Sequence, residues 1–191
     1  THAIEAYVST NTTPMTDACA EKAIRLVSKY LRKAVANGKD MEAREGMAYA
    51  QYLAGMAFNN ASLGHVHAMA HQLGGFYNLP HGECNAILLP IVEEYNLLAH
   101  VEKFINIAKM MDENVEGLSK RDAAELAIAA IRRLSQDVGI PPSITELAKR
   151  YGKEVSRSDI PTMVANAQKD ACALTNPRKM TDAAVQELTA A

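Results

Sequence analysis

Four of the six histidines fall between Gly64 and Pro90, in GHVHAMAHQLGGFYNLPHGECNAILLP. His67 and His71 are four residues apart among helix formers (Ala68, Met69, Ala70, Gln72, Leu73), so both imidazoles project from one helix face. An unbroken helix from His67 to His81 would separate them by about 21 Å, at about 1.5 Å per residue, too far to share a ligand. Gly74-Gly75, however, predicts a C-cap that ends the first helix, and Pro80 opposes continuous helix before His81. A helix, a reversing loop and a second helix starting near His81-Gly82 let His67 and His81 converge. Imidazoles converging from two helices suit a divalent metal bound through neutral nitrogens at about 2.0–2.1 Å. On spacing alone, a set of hydrogen-bonded structural histidines is an equal reading. The zinc-protease pattern H-E-x-x-H is excluded, because Ala68 stands where a general-base glutamate is needed.

The elements that must position these side chains read as helices. Thr1 to Ser9 has an apolar helical pattern with His2 on its site side. Thr13-Pro14 supplies an N-cap and a first-turn proline, and Ala18, Ala23, Ile24, Val27, Leu31 and Val35 then mark a core-facing helix ending at Asn37-Gly38. Asp40 caps the next helix, Met41 to about Asn60, whose Met47, Ala50, Ala54 and Ala57 form a face suited to close packing. Cys84 to Asn96 is apolar on several sides and predicts a buried central helix kinked at Pro90, with His81 in its first turn. Further helices are expected at His100–Met111, from Ser119 with Asp122 through Val138, at Ile144–Arg150 and at Ile160–Ala171. Gly139-Ile140-Pro141-Pro142 is a turn, GKEVSRSD an exposed loop, and Thr181 the cap of a last helix.

Composition sets the bounds. A chain of 191 residues, 48 % hydrophobic and 22 % charged, is an ordinary globular chain with enough apolar residues for a sizeable core, not a disordered one. A formal charge of −2 gives no electrostatic reason to expect nucleic acid or an anionic membrane as partner. Cys19, Cys84 and Cys172 form no C-x-x-C pair, so a disulfide framework is not expected and a reducing cytoplasm fits. No Gly-rich phosphate loop follows a strand, so no dinucleotide fold is expected within these residues. With 5 % aromatics, no Trp and abundant Ala, Leu, Met and Glu, the fold class expected is all-α.

GMAFNNASLGHVHAMAHQLGGFYNLPHGECNAILLP (Gly55 to Pro90), with THAIEAYVS at the start and DACALTNPR (Asp170 to Arg178), closely resembles the iron-containing, or group III, alcohol dehydrogenases, across essentially the whole chain. The nearest likeness is to their short-chain fermentative branch, with ethanol and propanediol dehydrogenases and lactaldehyde reductases. The resemblance implies a single all-helical metal-binding domain over residues 1–191, cut from a longer polypeptide whose N-terminal domain binds NAD or NADP. In that family one aspartate and three histidines hold the metal. Carried over, the histidines are His2, His67 and His81, while the aspartate lies one helical turn before His2 and so outside this chain. His71 matches the histidine beside the nicotinamide and the substrate. Phe58 and Cys172 match pocket-wall positions, against the plainer readings of a core aromatic and an inert buried thiol. His65 is expected at the surface or the rim, and Glu83 as a solvated carboxylate or one behind the ligands.

The implied activity is NAD(P)-dependent interconversion of a primary alcohol and an aldehyde. Three imidazoles and a carboxylate suit Fe(II), and Zn(II) equally; the family name, not the donor set, favours iron. The isolated fragment is expected to turn over little or nothing, and a homodimer or larger assembly is implied for the intact enzyme. The competing readings are a glycerol dehydrogenase or dehydroquinate synthase type of metalloenzyme, and a non-enzymatic helical module with structural histidines. The H-x-x-x-H…H-G spacing followed by NLPHGECNAILLP favours the alcohol dehydrogenase.

Overall fold

The computed structural model describes residues 1–190, with side chains through Gln186. The described residues form ten α-helices and three short 3-10 turns, with no strand. The helices are α1 His2–Val8, α2 Pro14–Ala36, α3 Met41–Ala61, α4 His65–Tyr77 and α5 His81–Asn96, then α6 Val101–Met110, α7 Lys120–Asp137, α8 Ile144–Arg150, α9 Ile160–Ala167 and α10 Asp182–Ala190. Among the described residues no helix is long and apolar enough to cross a membrane.

Local chemistry starts the long helices where the sequence predicts. Thr13 and Thr16 form a reciprocal capping box, the Thr13 Oγ1 accepting from Thr16 N at 3.2 Å and the Thr16 Oγ1 accepting from Thr13 N at 2.8 Å. Asp40 accepts from Ala43 N at 3.0 Å to open α3, and Ser119 accepts from Asp122 N at 3.2 Å to open α7. Losing one such cap costs about 1 kcal/mol. Helices α2 and α3 pair closely because α3 turns a small-residue face inward. At Gly46 a Cβ would stand 2.3 Å from the Tyr30 ring, so any side chain there would push the two helices apart.

Two sequence expectations are corrected. Gly74-Gly75 does not end α4, which continues to Tyr77 and is capped by Asn78 in the left-handed conformation (φ 53°, ψ 44°). Two glycines cost a helix about 1 kcal/mol each relative to alanine, and the packing of Val66, Met69 and Leu73 in the core outweighs that. Helix α9 stops at Ala167 rather than Ala171, and Ala171–Thr175 forms a separate 3-10 turn capped by Asp170, which accepts from Cys172 N at 2.9 Å. The apolar stripe of α2 also extends beyond its cover. Ala18 is exposed, and Val35 is 55 % exposed where α2 borders an open groove shared with Leu134 of α7 and Val138 just after it.

The core that sets the site is α5. Ile87, Leu88, Leu89 and Val92 bury on several sides of it, as expected for a central helix, and Asn85, Glu93 and Asn96 are buried with them. Helices α1 and α4 flank the same region, α1 packing on α2 and α3 while α4 packs on α5 and α9. The starts of α1, α4 and α5 thereby meet.

Candidate metal centre

His2 is the first residue of α1, His67 lies in the first turn of α4, and His81 opens α5. The turn at Asn78 and Pro80 brings the start of α5 back beside α4. The ring centres of His2 and His67 are 4.5 Å apart, and those of His67 and His81 are 5.2 Å apart. An ion bonded to imidazole nitrogens at about 2.0–2.1 Å sits about 3.2 Å from each ring centre, so two such rings at roughly 90–110° have centres about 4.5–5.2 Å apart. Both measured pairs fit that spacing.

Their protonation fits too. Burial, then the neighbouring His67, lowers His2 to about 4, and burial lowers His67 to about 3. Burial and the adjacent imidazoles also hold His81 below its ordinary value. All three are therefore neutral nitrogen donors at neutral pH. The buried amide of Asn85, one turn after His81, stands over two of their lone pairs: its nitrogen lies 3.3 Å from His67 Nε2 and 2.9 Å from His81 Nε2. Those are acceptor atoms in this arrangement, so the exchangeable proton of His67 sits on Nδ1. The Asn85 carbonyl oxygen is buried with no hydrogen-bond partner. A cluster of unprotonated nitrogens capped by one amide is a donor set that a divalent cation fits.

Behind the cluster, His67 Nδ1 makes a short contact with the buried carboxylate of Glu5. On the solvent side His71, one turn further along α4, stacks on His81 with centres 5.3 Å apart and planes 15° apart. Its Nδ1 lies 2.7 Å from Asp170 Oδ2. Partial burial opposes ionisation of Asp170, but its hydrogen bonds from His71 and Cys172 N prevail and hold its carboxyl below the usual range. Phe58 stacks on His2 with ring centres 4.4 Å apart and walls the third side.

Among the described residues, the one group of three potential donors whose ligand atoms all lie within 4.8 Å of one another is a different one, His71, Asp170 and Cys172. Two observations favour the imidazole trio over it as the principal site. Burial, with the charge of Asp170, pushes the Cys172 thiol up to about 12, which disfavours the thiolate that binds metal. In addition, the facing atoms of His71 and Asp170 are already satisfied by each other.

Not every sequence reading survives in detail. His65, expected at the surface or the rim, is buried, its Nε2 3.4 Å from Gln168 and its backbone N–H donated to Asn176 at 3.1 Å. Glu83, by contrast, keeps the reading of a solvated carboxylate: it accepts from Arg150 at 3.1 Å and from the Tyr151 hydroxyl at 2.6 Å. Sequence reasoning missed Glu5, Asn85 and Asp170. A signal existed for two of them: Glu5 is three residues after His2, and Asn85 four after His81, so each shares a helix face with an identified histidine. For Asp170 none existed, since its contact with His71 spans 99 residues.

Comparisons with known proteins identify the family. The sequence model of the C-terminal part of the Fe-containing alcohol dehydrogenase family matches residues 1–191. The chain is 58 % identical over 179 residues to the 1,3-propanediol dehydrogenase of Klebsiella pneumoniae, covering 94 % of this chain and 45 % of that protein. It is 45 % identical over 188 residues to the lactaldehyde reductase of Escherichia coli strain K12, covering 98 % of this chain and 47 % of the relative. The crystal structure of a 1,3-propanediol oxidoreductase superposes with a TM-score of 0.95 at 55 % identity, over 100 % of this chain and 48 % of that one. The chain thus spans about half the length of the relatives it matches. With its all-α architecture and clustered imidazoles, this chain belongs to the iron-containing alcohol dehydrogenase family, whose C-terminal helical domain it matches throughout.

Proposed function

We propose that this chain is the helical, metal-binding part of an enzyme that interconverts short-chain primary alcohols or diols and aldehydes with NAD or NADP. In this reading His2, His67 and His81 hold a divalent ion, iron by family and zinc by equal donor chemistry. An N-terminal domain of the same polypeptide carries the nucleotide and an aspartate that completes the ion's shell, so the 191-residue chain alone turns over little or nothing. The observation that carries the reading is the convergence of three neutral imidazoles from α1, α4 and α5.

The ion, when bound, supplies Lewis-acid polarisation of an alcohol oxygen, and the nicotinamide supplies hydride acceptance. The chain's residues do the rest. His67 is fixed by Glu5 and buried, so it orients rather than moves protons. His71 is exposed, adjacent to His81 and hydrogen-bonded to Asp170, so it is placed to pass the alcohol's proton outward through Nδ1 and the Asp170 carboxylate. Phe58, packed flat on His2, and Cys172, beside His71 and Asp170, bound the space left for the carbon chain.

The test is an anaerobic preparation of the polypeptide extended N-terminally to the length of its relatives, loaded with Fe(II) or Zn(II) and assayed with 1,3-propanediol and NAD. We expect about one ion per chain and alcohol-dependent NADH formation, both lost in His67→Ala and His81→Ala. Undiminished turnover in both variants would overturn the reading. Phe58→Ala should shift preference toward bulkier alcohols, and an unchanged substrate profile would make Phe58 a core residue only.

A further inference from the structure

Glu5 is a carboxylate where an apolar residue would be expected. It lies on α1 among Ala3, Ile4, Ala6, Tyr7 and Val8, is 2 % exposed, and has no Lys or Arg partner among the described ion pairs. What it does have is two partners on α4. Its Oε1 accepts from Val66 N at 2.8 Å, and its Oε2 is in hydrogen-bond contact with His67 Nδ1.

The start of α4 is built around this carboxylate. Gly64, the residue before the helix, provides no side-chain cap. Its first amides are satisfied from afar instead, His65 N by the Asn176 side chain at 3.1 Å and Val66 N by Glu5. A Cβ on Gly64 would stand 2.8 Å from Glu5 Oε1 and 2.7 Å from Asn176 Oδ1, so the glycine is what lets both side chains reach the helix end. A carboxylate at a helix N-terminus is also favoured by the helix dipole. Glu5 therefore has one place to be, and His67, in the first turn of that helix, has its imidazole pinned from behind. The ring's other nitrogen then faces His2, His81 and the Asn85 amide.

Resting on the reading of His67 as a ligand, we propose that Glu5 is the positioning residue of the metal centre: it keeps the proton on His67 Nδ1 and aims the Nε2 lone pair into the cluster. Metal affinity then depends on a carboxylate that never touches the ion. No other buried carboxylate can take its place. Glu93, also fully buried, pairs with Asn96 at 3.2 Å and has its second oxygen unpartnered, and it makes no hydrogen bond to an imidazole.

Glu5→Gln tests this without changing volume. Glutamine offers one acceptor where Glu5 uses two. If its oxygen stays on Val66 N, its amide nitrogen faces His67 Nδ1 and drives the ring proton to Nε2, removing the ligand. Two readouts on the 191-residue chain are needed. The first is the 15N spectrum of the metal-free protein, which reports which ring nitrogen of His67 carries hydrogen. We expect Nδ1–H in the wild type and a shift toward Nε2–H in Glu5→Gln. The second is Zn(II) titration against a chelator, with Kd expected to rise about 10–100-fold in Glu5→Gln while circular dichroism stays unchanged.

A wild-type His67 protonated at Nε2 overturns the proposal whatever any variant does, which also covers a Glu5→Gln protein that fails to fold. So does Glu5→Gln binding zinc as tightly as wild type with Nδ1–H retained. If the wild-type chain binds no zinc, the reading of His67 as a ligand fails, and the tautomer measurement still decides whether Glu5 sets the ring.

Discussion

His67 and His71 sit one turn apart on α4, yet their surroundings are opposite. His67 is 1 % exposed and enclosed by Glu5, Asn85 and two other rings. Behind it the buried polar set continues from Glu93 through Asn96 to Asn176, whose amide nitrogen reaches Asn96 Oδ1 at 2.8 Å and Arg178 O at 2.7 Å. His71 is exposed and has a single, partly buried carboxylate as partner. The helix repeat put both on one face, but the depth of that face against α1 and α5 gave them different surroundings. The inner ring is held by several buried groups. The outer one keeps access to solvent, which the proton-carrying role proposed for it requires.

The sharpest way to break this contrast is to remove each ring in turn. His67→Ala should abolish zinc binding, whereas His71→Ala should leave Kd within about threefold, because only the inner ring is read as a ligand. Equal losses in a chelator-competition titration would erase the distinction. Next in size is the outer pair: in the extended enzyme, Asp170→Asn should lower kcat by roughly tenfold or more, within the range of a perturbed proton relay, with metal content unchanged. A fall in metal content would move Asp170 to the inner set.

The inner region also has a pH signature. Burial raises the Glu93 carboxyl to about 8, so the folded chain prefers it neutral while the unfolded chain ionises it near the ordinary glutamate value. Its contribution to stability is present below that ordinary value and is lost as pH rises toward about 8. Glu93→Gln should therefore gain in Tm relative to wild type between pH 5 and pH 9, and a Tm difference independent of pH would contradict the burial argument. The smallest effect is expected at Cys172, whose thiol is pushed up to about 12 by burial and by Asp170. Cys172→Ser should leave zinc affinity unaltered, and alkylation of Cys172 at pH 8 should be slow with or without zinc.

The contrast also marks what could be read in advance. The caps at Thr13, Asp40 and Ser119, the buried α5 and the convergence of His67 with His81 follow from local chemistry: spacing, a cap, a proline. What escaped depends on distance in the chain. Glu5 meets His67 across 62 residues and Asp170 meets His71 across 99. The Gly74-Gly75 pair misled because helix propensity is a small energy beside the packing of Met69 and Leu73. His65 and Val35 misled oppositely, since a residue's own polarity does not say whether a neighbour covers it.

The central claim is that the cation site is the imidazole trio rather than the neighbouring His71, Asp170 and Cys172. X-ray absorption at the zinc edge, on the chain loaded with one equivalent of Zn(II), separates them directly because only the second set contains sulfur. One ion per chain is expected, with a nitrogen and oxygen shell at about 2.0–2.1 Å and no sulfur near about 2.3 Å. A sulfur scatterer at that distance, retained in His67→Ala and lost in Cys172→Ser, would place the ion in the outer cluster and contradict the account.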